Sequence, residues 1–288
     1  MKHGNRSGNA GAFFCILLFC QLASPLALGG TLVVANKAEA TASLIDLESG
    51  GVTATLPTGE GPHEVGISPD GRFALVSNYG NREKAGNSLT LIDIPGAKTV
   101  KTIDLGDYRK PHGVEWLDQK RAAVTTEGNR ALILVDVESG EISSVIGTDQ
   151  EVSHMVALDP ARARAYVTNI GSGSLTVLDL NNATRMKNIA TGNGAEGVAV
   201  STPGGEIWVT NRADDTLTVL DADSFETVTE IPCKGFPIRA TATPNGKVLV
   251  TTARAGELVI YDAASHAVIR TVVFDINSMD AQGRLFGD

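Results

Sequence analysis

Apolar and polar positions alternate along this chain in short runs, and the runs return in a fixed order. One line reads LVVAN (32–36), ALVSN (74–78), AAVTT (122–126), AYVTN (165–169), IWVTN (207–211) and VLVTT (248–252). Its last residues, Asn36, Asn78, Thr126, Asn169, Asn211 and Thr252, stand 42, 48, 43, 42 and 41 positions apart. A second line, of the type TLID or TVLD, ends at Asp46, Asp93, Asp136, Asp179, Asp221 and Asp262. Two independent markers hold one register through six units, which chance similarity does not do.

Each unit predicts four short strands. In the unit from Ala195, strand a is EGVAVS (196–201), b is EIWVTN (206–211), c is TLTVLD (216–221) and d is ETVTEIP (226–232). The segments are β-branched and are punctuated by Gly, Pro, Asn and Asp. No stretch sustains a 3.6-residue apolar period, so helices are incidental. Four strands every forty-odd residues is the blade spacing of an all-β propeller with four-stranded antiparallel blades. The recurring Asp after strand c precedes turn residues such as Glu-Ser-Gly, and reads as a turn-closing acceptor rather than part of a metal array.

The count leaves the ring uneven. The first unit begins at strand b, and after AVIRTVVFD (267–275) only residues 276–288 remain. The expectation is five full blades plus a three-strand partial blade over 30–275, a fragment of a seven-bladed ring. The tail 276–288 is then the start of a further blade or a truncated end.

The strings AYVTN, IWVTN and PHEVGISPDGR (62–72) resemble the YVTN β-propeller repeat family, related to surface-layer and cytochrome-d1-like propellers. The resemblance covers residues 31–275. It implies a secreted or periplasmic propeller, usually seven-bladed, with few assigned activities.

Residues 1–29 read as an export signal. Lys2 and Arg6 precede an apolar run, Ala12 to Leu22, that is too short to span a bilayer, and small residues follow at 27–29. Losing those two cations takes the formal net charge from −9 to about −11. That acidity disfavours nucleic acid and anionic membranes as partners, and no membrane insertion is expected after cleavage. Cys15 and Cys20 leave with the signal, so Cys233 has no partner for a disulfide.

Topology then locates the function. The d–a and b–c connections share one face, and there the units differ from one another. Strand a begins as Pro62-His63-Glu64, Pro111-His112-Gly113, Ser153-His154-Met155, Ala195-Glu196-Gly197 and Pro237-Ile238-Arg239. The b–c loop 79–88, YGNREKAGNS, is five residues longer than its counterparts and carries Arg82. Asn78, Asn169 and Asn211 end strands b on the same face. The expected ligand-binding set is therefore His63, Glu64, His112, His154, Glu196, Arg239, Asn78, Arg82, Asn169 and Asn211.

Three imidazoles with a carboxylate suit zinc, copper or iron, with His63, His112 and His154 as ligands. Against that, the histidines lie on separate blades whose inner strands are expected to diverge. Glu196, Glu127 and His112 offer an acid–base set. No nucleophile elbow, HExxH helix, phosphate loop or CxxCH haem attachment is present, and no cofactor is required by motif, though a non-covalent haem is compatible. The leading expectation is a periplasmic or secreted protein that binds a small molecule or protein partner at one channel mouth. The alternative is a metal- or haem-dependent enzyme, an oxidoreductase or lactonase-like hydrolase, at the same place. Trp116 and Trp208 are expected between blades, Cys233 as inert, and His266 as a solvated turn residue.

Overall fold

A computed structural model of the chain describes Met1 and residues 29–201 and 205–274. Nearly all of the expected export signal, and the tail 276–288, lie outside the described residues.

Six antiparallel sheets follow one another in sequence order. The first holds β1 (Thr31–Asn36), β2 (Thr41–Asp46) and β3 (Val52–Pro57). The second holds β4 (Pro62–Ile67), β5 (Phe73–Gly80), β6 (Ala85–Asp93) and β7 (Lys98–Asp104). The third is β8 (Pro111–Trp116), β9 (Arg121–Thr126), β10 (Ala131–Asp136) and β11 (Ile142–Gly147). The fourth is β12 (Ser153–Asp159), β13 (Arg164–Asn169), β14 (Ser174–Asp179) and β15 (Thr184–Ala190). The fifth is β16 (Ala195–Ser201), β17 (Glu206–Asn211), β18 (Thr216–Asp221) and β19 (Thr227–Pro232). The sixth is β20 (Pro237–Ala242), β21 (Lys247–Thr252), β22 (Glu257–Asp262) and β23 (Val268–Val273).

The three strands that counting sets aside as a partial unit form a sheet of their own. The propeller thus has six blades, one of three strands and five of four. In the third to fifth blades strands a, b and c bury most of their residues, whereas the outermost strands, such as β15 and β23, are largely exposed. That gradient is what stacking sheets face to face around an axis requires. Trp208 of β17 is 1% exposed and packs with Leu217, Val219, Val248 and Tyr261, sealing the fifth blade against the sixth. Trp116 fills the second-to-third seam and donates its indole N–H to Gly66 O at 3.0 Å. Both tryptophans sit between blades as their sequence positions predict. Cys233 is buried in the Trp208 cluster, and burial raises its thiol pKa, so it is held as the unreactive thiol.

The face opposite the candidate mouth is built from one local device. Asp46, Asp136, Asp221 and Asp262 each accept from the backbone N–H and hydroxyl of a serine three residues on; Asp179 does the same with Asn182. The aspartates close turns, as expected. His266 departs from its expectation. Its Nε2 contacts Glu206 Oε1 at 3.0 Å and its ring lies 5.4 Å from Trp208, because the c–d turn of the sixth blade abuts strand b of the fifth. Among the described residues no helix is long and apolar enough to cross a membrane; the one helical turn is a 3-10 turn at Glu127–Asn129.

Candidate functional site

Strand a aims its second residue into the channel because its ladder breaks there. Pairing with strand b skips from Pro62 to Val65, Pro111 to Val114, Ser153 to Val156, Ala195 to Val198 and Pro237 to Arg239. A bulge re-aims side chains and strands a backbone N–H. A hydroxyl from strand b takes that N–H in four blades. Glu64 N–H donates to Ser77 Oγ at 3.0 Å, Gly113 to Thr125 at 2.8 Å, Met155 to Thr168 at 3.2 Å and Gly197 to Thr210 at 2.7 Å. Thr125 and Thr168 pass the bond onward to the next blade's strand a, donating to His154 O and Glu196 O at 2.5 Å. The penultimate Ser or Thr of the recurring string therefore holds the bulge and stitches blades together.

The final Asn of that string does something else. Asn78, Asn169 and Asn211 are buried, with side chains turned between strands b and c. Asn78 Nδ2 donates to Ser88 and Thr90, Asn169 Nδ2 to Ser174 and Thr176, and Asn211 Nδ2 to Thr216 and Thr218. In the structure the amides of these three side chains are spent on the framework between strands b and c. The expected long polar loop 79–88 is also largely strand. β5 and β6 simply run further, and the turn proper is Asn81–Lys84, with Arg82 exposed on it.

The inner strands do not diverge as expected. Glycine at the third position of strand a lets the neighbouring backbone come close: a Cβ on Gly113 would meet His154 O at 2.9 Å, and one on Gly197 would meet Ile238 O at 2.8 Å. The imidazoles consequently stack. Ring centroids are 4.1 Å apart for His63 and His112, and 3.7 Å for His112 and His154. Tyr79 stands edge-on to His63 at 5.4 Å and to His112 at 5.7 Å.

Carboxylates and guanidiniums enclose the stack. His154 Nδ1 lies 2.7 Å from Glu127 Oε1, and Tyr79 donates its hydroxyl to Glu127 Oε2 at 2.5 Å. His154 Nε2 is 3.6 Å from Glu196 Oε1, a charge contact too long for a hydrogen bond. Arg212 donates to Glu196 Oε2 at 2.6 Å. Arg239 spans the channel, donating to Glu196 Oε1 at 3.0 Å and to Glu64 Oε1 at 2.5 Å. His63 Nδ1 is 3.5 Å from the same Glu64 oxygen.

Protonation follows from these contacts. His112 is 1% exposed, neither ring nitrogen has a hydrogen-bond partner, and its pKa lies well below the ordinary imidazole value. Burial is the main cause, with the charges of His154, His63, Arg239 and Lys37 adding to it. Burial also opposes a charge on His154, but the bond to Glu127 and the contact with Glu196 outweigh it and raise the pKa. Burial would raise Glu64 and Glu196; His63 and Arg239 around the first, and His154, Arg212 and Arg239 around the second, bring both below the usual carboxylate range. The centre of the mouth is thus a buried, unbonded imidazole that resists protonation, between a partly exposed one and one whose carboxylate neighbours favour its proton.

His63, Glu64, His112, His154, Glu196 and Arg239 come together as the sequence predicts. The three histidines do not form one ligand set, however. Donor atoms converge in two overlapping groups, His63–Glu64–His112 and His112–Glu127–His154, each within 4.8 Å. Glu127 was weighed from sequence only as an acid–base residue, and its place as the anchor of His154 was missed. A signal existed: the residue directly after each string is Lys37, Tyr79, Glu127, Ile170, Arg212 and Ala253, and the polar four all reach the mouth or its rim.

Comparison with known proteins places this geometry. A family model described as Cytochrome D1 heme domain matches residues 118–260. Hydrazine synthase of Kuenenia stuttgartiensis is similar in structure, with a TM-score of 0.73, 18% identity, and coverage of 85% of this chain and 83% of that one; at that identity the likeness concerns the fold. No curated protein matches. A haem fits the mouth poorly. An imidazole that holds haem iron presents a ring nitrogen to the macrocycle plane, and both His112 nitrogens are fully buried beside the tilted rings of His63 and His154, at 4.1 and 3.7 Å, with no open side for a macrocycle to approach.

Proposed function

We propose that this cytochrome-d1-like propeller is an exported binding protein whose channel mouth captures a small ligand. One observation carries the reading: a buried, hydrogen-bond-free imidazole, His112, stands at the meeting point of charged side chains from five blades. An unsatisfied buried polar group costs about 1–3 kcal/mol, and a scaffold with no ligand to hold gains nothing from it. Rigid strands supply the groups, and inter-blade bonds fix them before any ligand arrives, which lowers the ordering cost of binding. Export rests on the sequence of residues 1–29.

The test is mass spectrometry of small molecules and ions retained by the native protein, run beside a thermal-shift screen. Retention of a defined ligand that falls at least tenfold in His63→Ala is the expected result. A ligand profile identical in wild type, His63→Ala and Glu127→Gln overturns the reading. A second reading, a haem-dependent enzyme, is favoured by the family match alone. A strong Soret band in protein from its native compartment would support it; colourless protein removes it.

A further inference from the structure

We propose that the mouth is a mononuclear site for a borderline divalent transition ion, Zn²⁺ or Cu²⁺, held by His63, His112 and Glu64. The proposal rests on the small-ligand reading above and names the ligand's chemistry.

Two donor groups share His112, and geometry chooses between them. In His112–Glu127–His154 the pair is already closed. His154 and Glu127 are 2.7 Å apart, Glu127's other oxygen is taken by Tyr79, and their side chains are only 10% and 8% exposed. In His63–Glu64–His112 the pair is loose, at 3.5 Å, and the side chains keep 24% and 20% exposure, which gives an ion a way in. Both contacts to Glu64, from His63 and Arg239, fall on Oε1. His112 brings two nitrogens with no partner at all. An unbonded buried imidazole beside a second imidazole and a carboxylate is the donor set for a two-histidine, one-carboxylate ion site with room for water.

The closed group then serves the open one. His154 covers the far face of His112 at 3.7 Å and is itself pinned by Glu127, so His112 cannot turn away from His63. Arg239 fixes Glu64 through Oε1, as an outer hydrogen bond to a ligating carboxylate does elsewhere. The donors are imidazole nitrogens with one carboxylate, which suits zinc and copper and does not suit magnesium or calcium, ions that prefer all-oxygen sets.

The experiment is isothermal titration of metal-stripped full-length protein with Zn²⁺, Cu²⁺ and Mg²⁺, with elemental analysis after desalting. One equivalent of Zn²⁺ or Cu²⁺ per chain, and no retained Mg²⁺, is expected. His63→Ala, which replaces a partly exposed side chain, should weaken binding at least a hundredfold, and the near-isosteric Glu64→Gln at least tenfold. Glu127→Gln should change affinity less than Glu64→Gln. His112→Ala is read only if its circular dichroism matches wild type, so the conclusion stands on the other two variants. Absence of stoichiometric binding overturns the proposal. So does binding indifferent to His63→Ala and Glu64→Gln, or binding lost in Glu127→Gln and kept in His63→Ala. If a small organic molecule is retained in a His63-dependent way and no ion binds, the ion site falls and the binding function stands; if neither is retained, both fall.

Discussion

The two faces of this propeller are held by bonds of different reach. On the turn face, Asp46, Asp136, Asp179, Asp221 and Asp262 find partners three residues away, and this local device recurs blade by blade beneath a few inter-blade bonds such as Arg162 to Asp223 and His266 to Glu206. At the mouth the partners are 27, 43, 48 and 175 residues apart: His154 with Glu127, Arg239 with Glu196, Tyr79 with Glu127, and Arg239 with Glu64. One face can be repeated because it is local. The other must differ from blade to blade, since a ring of identical charges would repel itself. Damage on the turn face should therefore add, and damage at the mouth should couple.

The largest effect is expected at Arg239. Arg239→Met leaves Glu64 and Glu196 facing each other's surroundings without their shared cation. Fully buried pairs lose about 3–5 kcal/mol when one partner goes, and the 29% exposure of Arg239 brings the expectation to about 2–3 kcal/mol. Chemical denaturation reads it. Pairing the change with Glu196→Gln should cost less than the two single losses combined, by about 1 kcal/mol. Strict additivity would mean that the mouth is no more cooperative than the turns.

A middle-sized effect belongs to Asn169. Asn169→Ala removes donors to Ser174 and Thr176 inside a closed blade, with an expected loss of about 2 kcal/mol by denaturant midpoint. Because these bonds stay within one blade, combining it with Asn211→Ala should add within about 0.5 kcal/mol, although both residues sit at the mouth end of their strands. Coupling well beyond that would show that bond reach is the wrong divide between the two faces.

Sequence and structure agree wherever the signal is local. β17 and β18 lie at the residues that the alternation picks out, and the aspartate turns form as their Ser and Asn neighbours imply. The starts of strands a were legible as a ring of unlike residues, and that ring exists. The direction of the asparagine side chains is not legible from position alone, because a strand end can face the channel or the strand b–c interior; the Ser and Thr waiting on strand c, such as Thr176 and Thr218, draw them inward. The closeness of His112 and His154 was hidden in Gly113, whose missing side chain lets the third and fourth inner strands come together; Gly197 does the same between the fifth and sixth. The pairing of Arg239 with Glu64 could not be read at all, because it depends on ring curvature bringing the second blade opposite the sixth.

The smallest effect, taken one residue at a time, is the acid response of the turn face. The Ser139 amide and hydroxyl hold the Asp136 carboxyl below its ordinary value, and Ser49, Asn182, Ser224 and Ser265 do the same for Asp46, Asp179, Asp221 and Asp262. A carboxyl whose folded pKa is depressed binds its proton less readily in the native state than in the unfolded chain. Its stabilisation is whole above the unfolded value of 3.8 and disappears as pH falls through the folded one. Unfolding midpoints should thus be flat in this contribution down to about pH 5 and decline below it. Asp136→Asn should lower the midpoint slightly at pH 6, and the gap should narrow as pH falls below 3.8 and through the folded value, where the wild-type carboxyl takes its own proton. Adding Asp221→Asn should double the gap at pH 6, because the two turns share no atom and each bond closes within three residues. A gap that does not narrow below pH 3.8, or grows faster than the number of turns changed, would move these aspartates from local turn closure to the long-range behaviour of the mouth.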